Sequence, residues 1–311
     1  MAGEEAQYLG FHVSKVVLAF AQAAVLLRSV KMHDRVDGLQ HLASRSIGFL
    51  VDLVNLFSHN RGHYQLVFKD DTMKDTASAP VIQRVRHELK RRELTVASIT
   101  PLGPGFVSIS FQSEDLADFV SMSFDDHVKV FFDGDVRRDY TPRRFSREDR
   151  ILTIEFALHG HGTASEWARN AQVGQKLAIG GPRGSMIVPL DFDWHLLVGD
   201  ATSLPAISRR LEELPLAARA IVVVLADEAD RREFSSRARV DVQWVDTADA
   251  LIDALRLLSL PQGTGFAWGG GEARAMARVR QVLNEKGLPR ELTRVSAYWK
   301  QGESDHHETL E

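Results

Sequence analysis

From Trp194 onward the chain carries four short runs, WHLLVGD, AIVVVLAD, VDVQWVD and GFAWGGG, that are apolar along almost their whole length. A strand of that kind cannot lie against water on either face. Between and behind the runs lie SLPAISRRLEELP, TADALIDALRLLSL and EARAMARVRQVLNEKG, which place apolar residues at helical spacing. Strand and helix in alternation, with the strands buried on both sides, predict a parallel α/β domain over residues 191–302. Ligands of such sheets lie beyond the carboxyl ends of the strands.

Upstream the period changes to two. ELTVASI, FVSISF, HVKVFF, ILTIEFALHG and QKLAIGGPRGS are short and are separated by turns such as TPLGPG. FVSISF alternates strictly, with Val107, Ile109 and Phe111 on one face. Many short strands with glycine-rich turns and hardly any helix predict a small antiparallel barrel over residues 80–190. The basic run RVRHELKRRE, Arg84 to Glu93, reads as one solvated edge of it.

Residues 1–72 read as a helical segment of unassigned role, with apolar clusters at Val16–Leu27 and Ile47–Phe57. The first cluster is too short to span a membrane, and the acidic Glu4 and Glu5 before it are unlike a secretory signal. Ser58 to Pro80 reads as a linker, and Met73 inside it as a candidate alternative start. The polar tail, residues 303–311, reads as disordered, with His306 and His307 solvated.

Composition removes several chemistries. The 311 residues carry a formal net charge of −4, so no global field draws nucleic acid. Cysteine is absent. Disulfides, thiolate-held zinc, thiolate-held iron–sulfur clusters and cysteine nucleophiles are therefore excluded. Electron transfer would need an organic cofactor or a metal held by other ligands.

Four stretches carry the remaining chemistry. RRDYTPRRF, Arg137 to Phe145, follows an apolar strand and packs four arginines around a tyrosine and a threonine. An arginine fork suits phosphate oxygens, and an aromatic ring beside it suits a planar group. A solvated basic patch is the competing reading. If the segment is extended, Arg138, Tyr140 and Pro142 share one face while Thr141 and Arg143 share the other. HGHGTASEWA, from His159, is a glycine-rich turn opening a helix, with Thr163 or Ser165 as N-cap. GDATSLPAI, from Gly199, lies where a parallel strand ends and a helix begins. WGGGE, from Trp268, precedes another helix, with Glu272 a favourable partner for that helix's dipole, and AYWKQG closes the folded chain. No GxGxxG fingerprint is present.

In order and spacing these stretches resemble the siderophore-interacting protein family, flavin-dependent ferric-siderophore reductases of the ferredoxin-reductase-like superfamily. The likeness runs from Val81 to Gly302 and rests on RDYTPR, HGHGTASEWA, GDATSLPAI, WGGGE and YWKQG. Ser203 stands where alanine is usual. The resemblance implies a Greek-key FAD-binding barrel followed by a nicotinamide-nucleotide-binding α/β domain. It implies electrons passing from NADH or NADPH through FAD to a ferric siderophore, with iron released as Fe(II). FAD would lie with its ring against Tyr140 and Thr141. Its pyrophosphate would meet Arg138 or Arg143 and the turn from His159 through Gly162, Thr163, Ala164 and Ser165. Gly199, Asp200, Thr202, Gly270, Glu272 and Trp299 would complete the cofactor contacts. No catalytic side chain beyond the flavin is expected, and no metal is expected to be bound by the protein.

An anionic ferric siderophore would be collected by Lys129, Arg183 and Lys300. After AIVVVLAD, Asp227 and Glu228 suit a free ribose 2′-hydroxyl, whereas Arg231 and Arg232 suit a 2′-phosphate, so the two donors stay open. The expected protein is a cytoplasmic monomer with no nucleic acid partner and no stable membrane insertion. Three alternatives remain: a general flavin or electron-carrier reductase of the same superfamily, a non-catalytic siderophore-binding protein, and an interaction module resting on the N-terminal helices alone.

Overall fold

The computed structural model describes residues 80–158, 162–302 and 308–310. The expected N-terminal helices, the linker up to residue 79, Met73, His159, His161, His306 and His307 lie outside the described residues.

Strands β1 (Gln83–Arg86), β2 (Arg91–Pro101), β3 (Phe106–Gln112), β4 (Val128–Phe131), β5 (Arg137–Tyr140), β6 (Arg144–Ser146) and β7 (Ile151–Ala157) come first. Helix α1 (Thr163–Arg169) and strands β8 (Lys176–Gly180) and β9 (Gly184–Ile187) follow. Seven of these strands form a barrel-like antiparallel sheet in the order β5-β4-β8-β2-β3-β7-β6, while β1 pairs with β9 in a ladder of their own. The period-two pattern selects the inward face: Val107, Ile109 and Phe111 join Leu94, Val96, Val130, Leu152 and Ile154 in one buried cluster.

Most of the basic run is solvated as expected, with Arg84, Arg86, Arg91, Glu88 and Glu93 exposed and β1 paired with β9 alone, but its end enters the sheet. β2 lies between β8 and β3, inside the sheet. Arg92 is only 6% exposed. Its guanidinium donates to the Asp115 carbonyl at 2.9 Å, pairs with Asp118 at 2.8 Å and lies 5.5 Å over the Phe119 ring. A long apolar stem and a planar, multiply satisfied head allow that burial.

The second half builds a sheet from β10 (Trp194–Asp200), β11 (Arg219–Leu225), β12 (Arg239–Val245), β13 (Gly265–Glu272) and β14 (Thr293–Trp299). Helices α2 (Leu204–Glu213), α3 (Ala248–Leu257) and α4 (Ala273–Glu285) cover it. The strand order is β12-β11-β10-β13-β14, all parallel. Each apolar run serves both faces. Leu197, Val222 and Val224 meet Leu204, Ile207 and Leu211 of α2. Leu196, Val198 and Val223 meet Leu251 and Leu255 of α3 and Met276 and Val279 of α4 on the other side.

Part of the tail differs from its expectation. Glu308–Leu310 forms β15, antiparallel to β14, with Ala297 opposite Glu308. It gives partners to backbone groups that an edge strand would leave unpaired.

Polar side chains tie the two halves together. Arg209 of α2 donates to Ser121 Oγ at 2.8 Å and to the Pro142 carbonyl at 2.9 Å. The indole of Trp268 donates to Asp125 Oδ1 at 2.7 Å. Among the described residues no helix is long and apolar enough to cross a membrane.

Candidate active site

Strand β5 is set by its hairpin with β4. Gly134 and Asp135, at φ 72° and 59°, make the left-handed turn, and Val130 then stands opposite Arg138 and Val128 opposite Tyr140. Beyond this hairpin a cleft of about 260 Å³ opens between the two halves of the molecule. Arg138, Asp139, Tyr140 and Thr141 form one wall, and the turn from Gly162 to Ser165 forms a second. Thr202, Pro205, Tyr298 and Trp299 close it from the α/β side, with Phe106, Glu155 and Ala157 also lining it.

The Tyr140 ring is held by other rings. It lies 4.5 Å from Phe156 and 6.4 Å from Phe132, and Trp167 of α1 packs against both at 5.6 and 5.7 Å. Burial pushes the phenol upward, so it stays neutral. Arg138 is half-buried in the cleft wall and donates to the Arg137 carbonyl at 2.6 Å.

Helix α1 is capped differently from expectation. Gly162 is the N-cap, in extended conformation, and Thr163 is already the first helical residue. Ser165 reaches back, donating to the Gly162 carbonyl at 2.9 Å and accepting from the Gly162 N–H at 3.2 Å. Among the described residues nothing stands within 4 Å of where a Gly162 side chain would begin. The turn therefore presents bare backbone to the cleft.

The expected site residues divide. Arg138, Tyr140, Thr141, Gly162, Thr163, Ala164, Ser165, Thr202 and Trp299 line one cleft. Arg143 does not join them. It is 7% exposed and bonds Glu155 at 3.0 Å and both oxygens of Glu212 at 2.8 and 2.7 Å. Its charge is balanced by two carboxylates, and it is not among the residues that line the cleft.

Gly199 and Gly270 are packing residues: a side chain at Gly199 would overlap Ser203 and the Gly270 carbonyl, and one at Gly270 would press on Trp268 and Tyr298. Glu272 caps α4, accepting from the N–H groups of Arg274 and Ala275 at 2.7 and 3.0 Å. Asp200 is buried and bonded wholly within the chain; burial pushes its carboxyl upward and its donors pull it back in part.

The residues expected to meet an anionic substrate are also dispersed. Lys300 directly follows Trp299 of the cleft wall. Lys129 pairs with Asp139 of that wall at 3.0 Å. Arg183 lines a separate groove with Arg84, His87 and His127. The two arginines expected to suit a 2′-phosphate are engaged elsewhere: Arg231 pairs with Asp246, and Arg232 with Glu155 at 2.6 Å.

Phe106, Asp139, Glu155, Ala157, Pro205 and Tyr298 were not anticipated in the site. Of these, Asp139 and Pro205 lie inside RDYTPR and GDATSLPAI, and Tyr298 is the aromatic next to Trp299 near the end of β14.

Known proteins bear directly on this cleft. The sequence profile described as "Siderophore-interacting FAD-binding domain" matches residues 95–135 and 133–186, and that described as "Siderophore-interacting protein" matches residues 192–302. The NADPH-dependent ferric-chelate reductase of Escherichia coli is 34% identical over 254 residues, 73% of this chain and 99% of that one. The chain belongs to the siderophore-interacting protein family. Another relative, the ferric vibriobactin reductase ViuB of Vibrio cholerae, is 30% identical over 234 residues, 64% of this chain and 86% of that one. The crystal structure of a siderophore utilization protein from T. fusca superposes with a TM-score of 0.67 at 32% identity, covering 74% of this chain and 98% of that chain. RDYT, GTAS, GDATSLPAI and YW are the stretches whose residues meet in the cleft.

Proposed function

We propose that this chain is a flavin-dependent reductase that takes electrons from NADH or NADPH and delivers them to a ferric siderophore, freeing iron as Fe(II). The observation that carries the reading is the single cleft in which Arg138, Tyr140, Thr141, Gly162–Ser165 and Trp299 converge.

The donor set fits FAD. One half-buried guanidinium, the Thr141 and Thr163 hydroxyls and the uncovered backbone at Gly162 suit an anionic, hydrogen-bonding chain. The aromatic walls at Tyr140, Tyr298 and Trp299 suit a flat ring system. Arg138, rather than Arg143, holds the pyrophosphate in this reading. Bound flavin supplies the chemistry: it takes two electrons from a nicotinamide and yields them singly to ferric iron.

The chain's own residues do the rest. Tyr298 and Trp299 shield the cleft from water on the α/β side, and the neutral Tyr140 phenol adds no charge to it. Lys300, beside Trp299, and Lys129, one strand from the wall, supply positive charge for an anionic ferric chelate. The protein works in the cytoplasm as a monomer.

An anaerobic visible spectrum of the purified, FAD-reconstituted protein tests this. A flavin band that bleaches with NADH or NADPH and returns on adding a ferric catecholate siderophore is expected. No flavin band after reconstitution would overturn the proposal.

A further inference from the structure

Asp200 ends β10, the strand from which the sheet order runs out in both directions, to β11 on one side and β13 on the other. Ligands of open α/β sheets gather at that point, and a carboxylate there invites a direct cofactor role. Its surroundings argue otherwise. The side chain is 7% exposed and meets four donors of its own chain. Oδ1 accepts from the Thr202 N–H at 2.9 Å and from the Thr202 hydroxyl at 2.5 Å. Oδ2 accepts from the Glu272 N–H at 2.7 Å and from the Trp299 indole N–H at 2.9 Å. These donors lie at the carboxyl ends of β10, β13 and β14, three adjacent strands.

The glycines nearby have the same cause. Gly271 sits at φ 156°, and a side chain there would begin 2.6 Å from Asp200 Oδ2. Gly199 lies against Ser203 and the Gly270 carbonyl. GDATS and WGGGE are therefore two halves of one clasp, closed around a single carboxylate.

We propose that Asp200 is a positioning residue: it holds the Thr202 hydroxyl and the Trp299 indole in the cleft wall and does not itself touch the nicotinamide. Three of its four donors belong to Thr202 and Trp299, both of which line the cleft. Trp299 is 42% exposed, so the bond at its Nε1 is what orients a ring otherwise open to solvent. Only a carboxylate accepts on both oxygens. An asparagine amide turned either way points N–H₂ at a donor. The functional half of this inference rests on the flavin reading of the cleft; the structural half does not.

The test therefore has two arms. In the full-length, FAD-free protein labelled at tryptophan, the indole N–H resonances are recorded, with Trp299→Phe identifying the Trp299 signal. The wild-type Trp299 proton is expected to exchange about tenfold more slowly than a solvated indole, and Asp200→Asn to abolish that protection. Exchange at the solvated rate in the wild type overturns the clasp, and it does so even if Asp200→Asn fails to fold. The second arm measures kcat/KM for ferric chelate reduction in a double-mutant cycle. Asp200→Asn is expected to cost about tenfold in the native background and about twofold in the Trp299→Phe background. Equal factors in both backgrounds would show that Asp200 does not act through Trp299. Absence of flavin binding would remove the second arm alone and leave the first to decide.

Discussion

His195 shows how much one buried side chain can reveal about pH. It sits on β10 with no exposed surface, 5.8 Å from Phe192. Burial, and then the Arg210 guanidinium, push its imidazole down to about 3. A histidine whose folded pKa is depressed gives up its proton on folding, so its contribution is complete above the unfolded value of about 6.5 and is lost as pH falls from there toward 3. Replacing His195→Leu should flatten the urea midpoint between about pH 6.5 and 4.5, where carboxylates contribute least. A midpoint that still falls over that range in the variant would assign the slope to another group.

Two arginines in one short motif make a second residue-scale contrast. Arg138→Ala is expected to weaken FAD binding about tenfold, read by flavin absorbance after gel filtration, with little loss of stability. Arg143→Met is expected to destabilise the protein by about 1.5–3 kcal/mol, because it removes charge-assisted hydrogen bonds from the buried Glu155 and the partly buried Glu212, each of which keeps a second arginine. If instead Arg143→Met strips FAD from a fully stable protein, the assignments are reversed.

At the scale of elements, the Arg143 contacts become a brace. Glu155 on β7 bonds Arg143 and Arg232, while Glu212 on α2 bonds Arg143 and Arg144. Burial pushes Glu212 upward, but its two arginines more than offset this and hold it at about 2. Its contribution is present above the unfolded value of 4.5 and is lost as pH falls from 4.5 toward 2. Glu212→Gln should remove that part of the acid transition, measured by circular dichroism during acid titration, without touching the His195 window at higher pH. The elements themselves were mostly legible. Alternation placed the barrel strands, and continuous apolar runs placed the parallel ones, because both patterns report burial locally. Within the basic run Arg92 misled, since nothing local shows that one arginine of a solvated stretch will turn into the sheet. The N-cap of α1 misled too: Gly162 takes the position, and Ser165 contributes from inside the helix.

Among the described residues the two large sheets share one cleft, and their seam is specific. Gly105 of the TPLGPG turn has no room for a side chain because Asp230, from the turn after β11, occupies that space. Arg209 and Trp268 cross the same seam. Since both sheets line the cleft, FAD should stabilise them as one unit. At a hundredfold excess over its Kd the gain is about 2.7 kcal/mol, expected as one calorimetric transition moved upward intact. A split transition, with the α/β half unmoved, would place FAD on the barrel alone.

What the sequence determined by itself was the pair of sheets and the family, because periodicity and motif order are properties of neighbours along the chain. What only the tertiary structure decided was which motif residues meet. Arg143 reaches Glu212, 69 residues away, and so leaves the cleft to Arg138. Asp200 reaches Glu272 and Trp299, 72 and 99 residues away, and so ties three strand ends together. Those partners are set by strand order and by the packing of one sheet on the other. No local pattern encodes how far a guanidinium or a carboxylate will travel to be satisfied once it is buried.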